Sequence, residues 1–140
     1  MYINRKITDK LNYLSEHFPV VVVTGARQTG KTTLVKETFA NATYVTLDYP
    51  RIREIAQTDP ELSLHQYTPP SIIDEIQYAP ELLPYIKVRI DEKHNPGQYF
   101  LTGSQMFRMM KNVSESLAGR VGLLSLFGLS RSEILDVDEV

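Results

Sequence analysis

A chain of 140 residues has room for one domain of ordinary size and too little for two. Leu, Ile, Val and Phe supply 41 of them, well above the roughly 20% below which chains tend to stay disordered, so a packed core is expected. A net charge of −2 argues against a general nucleic-acid or anionic-membrane binder, and the lack of cysteine excludes disulfides, thiolate metal sites and a cysteine nucleophile.

The start, Met1 to Lys6, is not followed by the apolar stretch of a secretory signal, and the longest apolar run is Val20 to Val23. That run is far short of the ~20 residues that span a bilayer. A soluble, cytoplasmic protein without a membrane partner is expected. His17, His65 and His94 are too scattered for a helical or short-loop metal pair and read as surface residues.

Along the chain, Ile7, Leu11, Leu14 and Phe18 recur at helical spacing and predict an amphipathic helix over 5–17. Pro19 breaks it. Val20 to Thr24 is β-branched throughout and apolar on both faces, which suits a central parallel strand. A Gly-containing stretch over 25–30 leads into a helix from Lys31 to Phe39. Tyr44 to Asp48 reads as a second strand. Residues 51–57 and 60–66 read as short helices, the latter with Asp59 as N-cap and Pro60 at the first helical position. Ser71 to Asp74 is a third strand. Pro80 to Lys93 reads as a helix, with Leu83, Ile86 and Ile90 on one stripe and Pro84 in its first turn. Tyr99 to Thr102 is a fourth strand, 105–118 a helix, and Leu123 to Phe127 a fifth strand. Strands separated by helices imply crossovers, hence an α/β fold: a five-stranded, mainly parallel sheet flanked by helices.

Residues 25 to 32 read Gly-Ala-Arg-Gln-Thr-Gly-Lys-Thr, the full phosphate-binding loop (P-loop) pattern. Gly25 and Gly30 permit backbone angles that turn successive N–H groups inward around a phosphate chain. The following helix adds its unpaired amides and the positive end of its dipole. Gln28, Thr29, Gly30, Lys31, Thr32 and Thr33 are expected to contribute backbone donors. The Lys31 ammonium would reach the β- and γ-phosphates, and the Thr32 hydroxyl would ligate Mg²⁺. From ordinary composition, chance produces the pattern in roughly one such sequence in two hundred. Its place between an all-valine strand and a helix lowers that further.

Ile72-Ile-Asp-Glu75 is an apolar strand ending in two carboxylates. An aspartate at such a strand end holds Mg²⁺, directly or through water, in P-loop enzymes. Hydrolysis also needs a group to orient a water for in-line attack, and Glu75 fits that task. A GTPase would need an Asn/Thr-Lys-x-Asp segment, which the chain lacks. A small-molecule kinase would carry an Arg-bearing lid and is the weaker reading, so ATP hydrolysis leads. At the end of strand four, Thr102 or Ser104 could hydrogen-bond the γ-phosphate or the attacking water; the alternative is a plain turn with Ser104 as N-cap. Arg120, just before strand five, could reach a neighbouring subunit's nucleotide or simply be solvated. Lys87, Arg89 and Lys93 share one helical segment with Asp91 and Glu92, which favours a solvated face over a nucleic-acid track.

Taken together, Gly25-Ala-Arg-Gln-Thr-Gly-Lys-Thr-Thr33, Ile73-Asp-Glu-Ile-Gln77, Leu101-Thr-Gly-Ser-Gln105 and Ser116-Leu-Ala-Gly-Arg-Val121 resemble the AAA-superfamily (AAA+) P-loop ATPases of bacteria and archaea. Those proteins pair an N-terminal AAA domain with a C-terminal domain of unknown function. The resemblance implies one AAA-type domain over 1–140, with the Asp74–Glu75 strand separated from the loop strand by the strand ending at Ser104. It implies Glu75 as the water-orienting acid, Ser104 as the sensor on strand four and Arg120 as an arginine finger acting in trans within a homo-oligomer. The chain stops near Ser132-Glu-Ile-Leu135, where relatives continue for more than this length again, so a core without the C-terminal helical lid is expected. The expected activity is Mg²⁺-dependent ATP hydrolysis coupled to conformational change in a partner or missing domain. The alternative is a non-catalytic, nucleotide-gated interaction module.

Overall fold

Four valines in a row cannot sit comfortably in a helix, where branching at Cβ crowds the preceding turn, but they pack well on a pleated surface. They form β1 (Val20–Thr24), every residue of which is buried. The structure, a computed structural model, describes residues 5–26, 30–104 and 106–126. Around β1, in chain order, run α1 (Arg5–His17), α2 (Lys31–Thr38), β2 (Thr43–Thr46), α3 (Pro50–Thr58), α4 (Pro60–Gln66) and β3 (Ser71–Asp74). A one-turn 3₁₀ segment (Ile76–Tyr78) follows, then α5 (Leu82–Glu92), β4 (Tyr99–Gly103), α6 (Met106–Leu117) and β5 (Val121–Ser125).

The strands form one sheet in the order β2-β3-β4-β1-β5, and all four pairings are parallel. β4 therefore lies between the loop strand and the strand that ends in Asp74, as the family resemblance implies. Parallel neighbours need crossovers, and the crossovers place helices on both faces. The period-2 alternation of β1 divides the core accordingly. Val21 and Val23 join Leu11, Leu14, Leu34 and Val35 on the α1–α2 side. Val20 and Val22 join Leu64, Leu83, Ile86, Ile90, Val113 and Leu117 on the other. Each such valine stabilises by about 1.5–3 kcal/mol relative to an exposed one.

Local signals set several boundaries as expected. Asp59 accepts a hydrogen bond from the Leu62 amide (3.2 Å) and Pro60 opens α4. Pro84 falls in the first turn of α5, which begins at Leu82 rather than Pro80. β5 begins two residues earlier than its leucines indicate, because Val121 pairs with Val20 and fixes the register from the start of β1. The 3₁₀ turn after Glu75 has no counterpart in the sequence reading. Among the described residues, no helix is long and apolar enough to cross a membrane. The Ser132–Leu135 stretch lies outside the described residues.

Candidate functional site

The site is built at the C-terminal edge of β1, β3 and β4. Directly after β1, the Gly25 amide donates to the Gly103 carbonyl of β4 (3.1 Å). At Gly30 a left-handed backbone (φ 87°, ψ 11°) suits glycine, and α2 starts at once with Lys31. Among the described residues, no side chain caps this helix end. Its first amides thus stay available to an anion, with the helix dipole in support. Lys31 is buried, while Thr32 and Thr33 are half-buried. Gln28 and Thr29 lie outside the described residues.

Asp74 is surrounded by hydroxyl groups. Thr32 Oγ1 donates to Asp74 Oδ1 at 2.8 Å, and Thr102 Oγ1 donates to the same oxygen. Thr46 Oγ1 (3.0 Å) and Tyr44 OH (3.1 Å) donate to Oδ2. Four strands and helices (α2, β2, β3 and β4) thereby meet on one carboxylate. Burial, and next the Asp74 charge, push the Tyr44 phenol above the ordinary tyrosine range, so it remains a proton donor. The Asp48, Asp74 and Glu75 carboxylates approach within 4.8 Å of one another. Hydroxyl and carboxylate oxygens alone make a donor set that fits a hard cation such as Mg²⁺.

Glu75 has a left-handed backbone (φ 59°, ψ 52°), the one non-glycine residue among those described with positive φ. Such a conformation costs roughly 1–2 kcal/mol and persists where surrounding contacts over-determine it. Here the contacts are explicit. The Glu75 amide donates to Thr102 Oγ1 at 3.2 Å. Glu75 Oε2 lies 3.7 Å from Lys31 Nζ, both side chains being about 95% buried (relative exposures 5% and 6%). Ser104 Oγ (3.0 Å) and Gln77 Nε2 (2.7 Å) both donate to Oε1.

The loop lysine, Thr32, Asp74, Glu75 and Ser104 are thus brought together, and the Ser104 hydroxyl turns to Glu75. Arg120 stands apart, at the opposite edge of the sheet, where its carbonyl accepts from Val20. Its guanidinium grips Asp91 on α5 through Nε (2.7 Å) and NH2 (3.2 Å). Sequence reasoning missed Tyr44, Thr46, Asp48 and Gln77. Of these Asp48 carried a signal, as the acid closing the Tyr44–Asp48 stretch, and Gln77 stands two residues after Glu75 within the quoted Ile73–Gln77 segment; Tyr44 and Thr46 enter the site only through strand order.

A family model described as AAA domain matches residues 17–135. Two uncharacterized proteins, from Mycobacterium bovis and Mycobacterium tuberculosis, are each 37% identical over 117 residues, covering 83% of this chain and 26% of their own length. The chain therefore spans about a quarter of the curated relatives it matches. The Walker-type ATPase of Pyrococcus abyssi has a similar fold, with TM-score 0.66 at 16% identity over 91% of this chain and 54% of that one.

Proposed function

The chain belongs to the AAA domain family, and from that premise we propose that it binds MgATP at the loop after β1 and hydrolyses it. The energy of hydrolysis would drive or time a conformational change in a partner or in the remainder of a longer protein. The observation that carries this reading is the convergence of Lys31, Thr32, Asp74, Glu75 and Ser104, through contacts between 2.8 and 3.7 Å. A cation with an acid beside it, both withdrawn from water at a helix N-terminus, is an arrangement suited to phosphate chemistry.

In this reading the backbone around Gly25, Gln28, Thr29, Gly30, Lys31, Thr32 and Thr33 holds phosphate oxygens, with the Lys31 ammonium on the β–γ pair. Thr32 and Asp74 would hold Mg²⁺, which when bound neutralises charge on the phosphate oxygens. Glu75 accepts a proton from the attacking water, and Ser104 fixes Glu75 and the water relative to the γ-phosphate. Arg120 of a second copy would offer charge to the transferring group.

Two variants of the full chain test the assignment. Lys31→Ala should weaken nucleotide binding by roughly tenfold to a hundredfold, the loss of one charge-assisted contact. Glu75→Gln should bind ATP yet release phosphate about 10²–10⁴ times more slowly. Unchanged calorimetric affinity in the first would remove the loop assignment, and native turnover in the second would remove the acid. A nucleotide-gated module without turnover is the second reading, favoured by the Lys31–Glu75 pair that keeps the acid engaged. ATP that stays bound, with no phosphate release at any protein concentration, would establish it.

A further inference from the structure

Gln77 occupies the middle of the 3₁₀ turn that follows Glu75. The turn is anchored from α3: the Arg53 guanidinium stacks 3.9 Å over the Tyr78 ring, and Gln57 Nε2 donates to the Tyr78 carbonyl at 2.6 Å. With Glu75 turned back by its left-handed backbone, the Gln77 carboxamide reaches the carboxylate two residues earlier. Its Nε2 donates both to Glu75 Oε1 (2.7 Å) and to Ser104 Oγ (3.0 Å), and Ser104 donates in turn to Oε1. The three groups close a ring. An amide turned the other way would set its oxygen against the carboxylate, so the donor end is fixed toward Glu75. The other end, Gln77 Oε1, is buried and has no hydrogen-bond partner among the described residues. A glutamine kept only for packing would have little reason to leave one end unpaired.

The two oxygens of Glu75 thus have different partners. Oε1 is held by neutral donors, whereas Oε2 faces the Lys31 ammonium. A triphosphate carries more charge than a carboxylate and takes Lys31 for itself. Glu75 then loses its counter-ion on the side that faces the phosphates, and only its grip on Oε1 keeps it from swinging away. We propose that Gln77 is a positioning residue that holds Glu75 by Oε1 while bound nucleotide draws Lys31 away, leaving Oε2 free to accept from the attacking water. The proposal rests on the reading of Glu75 as the water-orienting acid and adds the residue that keeps it oriented.

The test uses binding rather than turnover. Calorimetry on the full chain compares MgADP alone with MgADP plus aluminium fluoride, a mimic of the phosphoryl group in transfer with its water in place. Native protein should bind the second mixture more tightly. In Gln77→Ala, and in the similarly shaped Gln77→Met that cannot donate, MgADP affinity should stay within about twofold while the tightening by aluminium fluoride falls about tenfold or more. In a Glu75→Gln background, Gln77→Ala should add nothing further. Native tightening in both Gln77 variants, alongside its loss in Glu75→Gln, overturns the positioning role and leaves the acid assignment standing. Equal loss of MgADP affinity, or an additional loss in the Glu75→Gln background, also overturns it, because Gln77 would then act otherwise than through Glu75. Tightening that survives Glu75→Gln defeats the acid assignment itself.

Discussion

An aspartate carboxylate offers about four lone-pair sites, and at Asp74 four hydroxyls take them: Thr32 and Thr102 on one oxygen, Tyr44 and Thr46 on the other. A cation at this site would therefore meet Asp74, directly or through water, only by displacing a hydroxyl. The proton that Thr32 gives to Asp74 leaves its own oxygen lone pairs free to face the cation. Thr102 has a second duty, since its oxygen also accepts from the Glu75 amide at the strained corner. Thr102→Val removes both contacts at a fully buried position while keeping the shape. It should destabilise the chain by about 1–3 kcal/mol in urea unfolding, with Thr102→Ser restoring most of the loss. A valine variant within about 0.5 kcal/mol of native would show that the hydroxyl does not hold this corner.

At the scale of elements, α1 and β5 meet at Gly122. A Cβ there would lie 2.8 Å from Phe18 Cδ2 and 2.9 Å from Leu14 Cδ2, both closer than carbon atoms tolerate. Gly122→Ala should push α1 outward and cost about 1–3 kcal/mol by thermal or chemical unfolding; a neutral effect would mean that the helix yields freely. Such packing explains which elements could be read in the sequence. The start of α4 was legible because Asp59, Pro60 and the Leu62 amide are neighbours in the chain, and capping is a local matter. The Gly25–Thr32 pattern was legible because it consists of fixed residue types at fixed spacing. β5 was misplaced by two residues because its register is set by β1, remote in sequence. The same reason hid Tyr44 and Thr46: nothing in Tyr44-Val-Thr46 says that β2 will lie beside β3 and aim two hydroxyls at its last residue. The left-handed Glu75 is a tertiary product too, since local preference opposes it and only Thr102, Ser104, Gln77 and Lys31 together hold it.

The whole molecule is polar in the plain geometric sense that a parallel sheet has two unlike ends. The loop and the acidic residues lie where the strands end, and Arg120 lies where they begin. The length of β1 between them is about 16 Å at ~3.3 Å per residue, beyond the reach of an arginine side chain to its own chain's loop. A trans role for Arg120 therefore demands a second copy whose loop end lies against the opposite end of this sheet, antiparallel in a two-fold dimer or head to tail in a ring or filament. In the single chain Arg120 is already bound to Asp91, and that hydrogen bond is the main cause holding the Asp91 carboxyl below the usual range. A carboxyl depressed in this way keeps its partner above the ordinary carboxylate pKa and releases it only as pH falls through the lowered value. Acidity near neutrality cannot free the arginine; a more highly charged anion, such as a neighbour's triphosphate, can compete for it. The pair is exposed and contributes little to stability. Asp91→Asn should thus leave the thermal midpoint unchanged while increasing phosphate release at protein concentrations where copies meet. In the native chain the rate should rise more than linearly with concentration, and Arg120→Ala should flatten that rise. Strict proportionality in all three proteins would mean that each copy works alone and that Arg120 serves only to pair with Asp91.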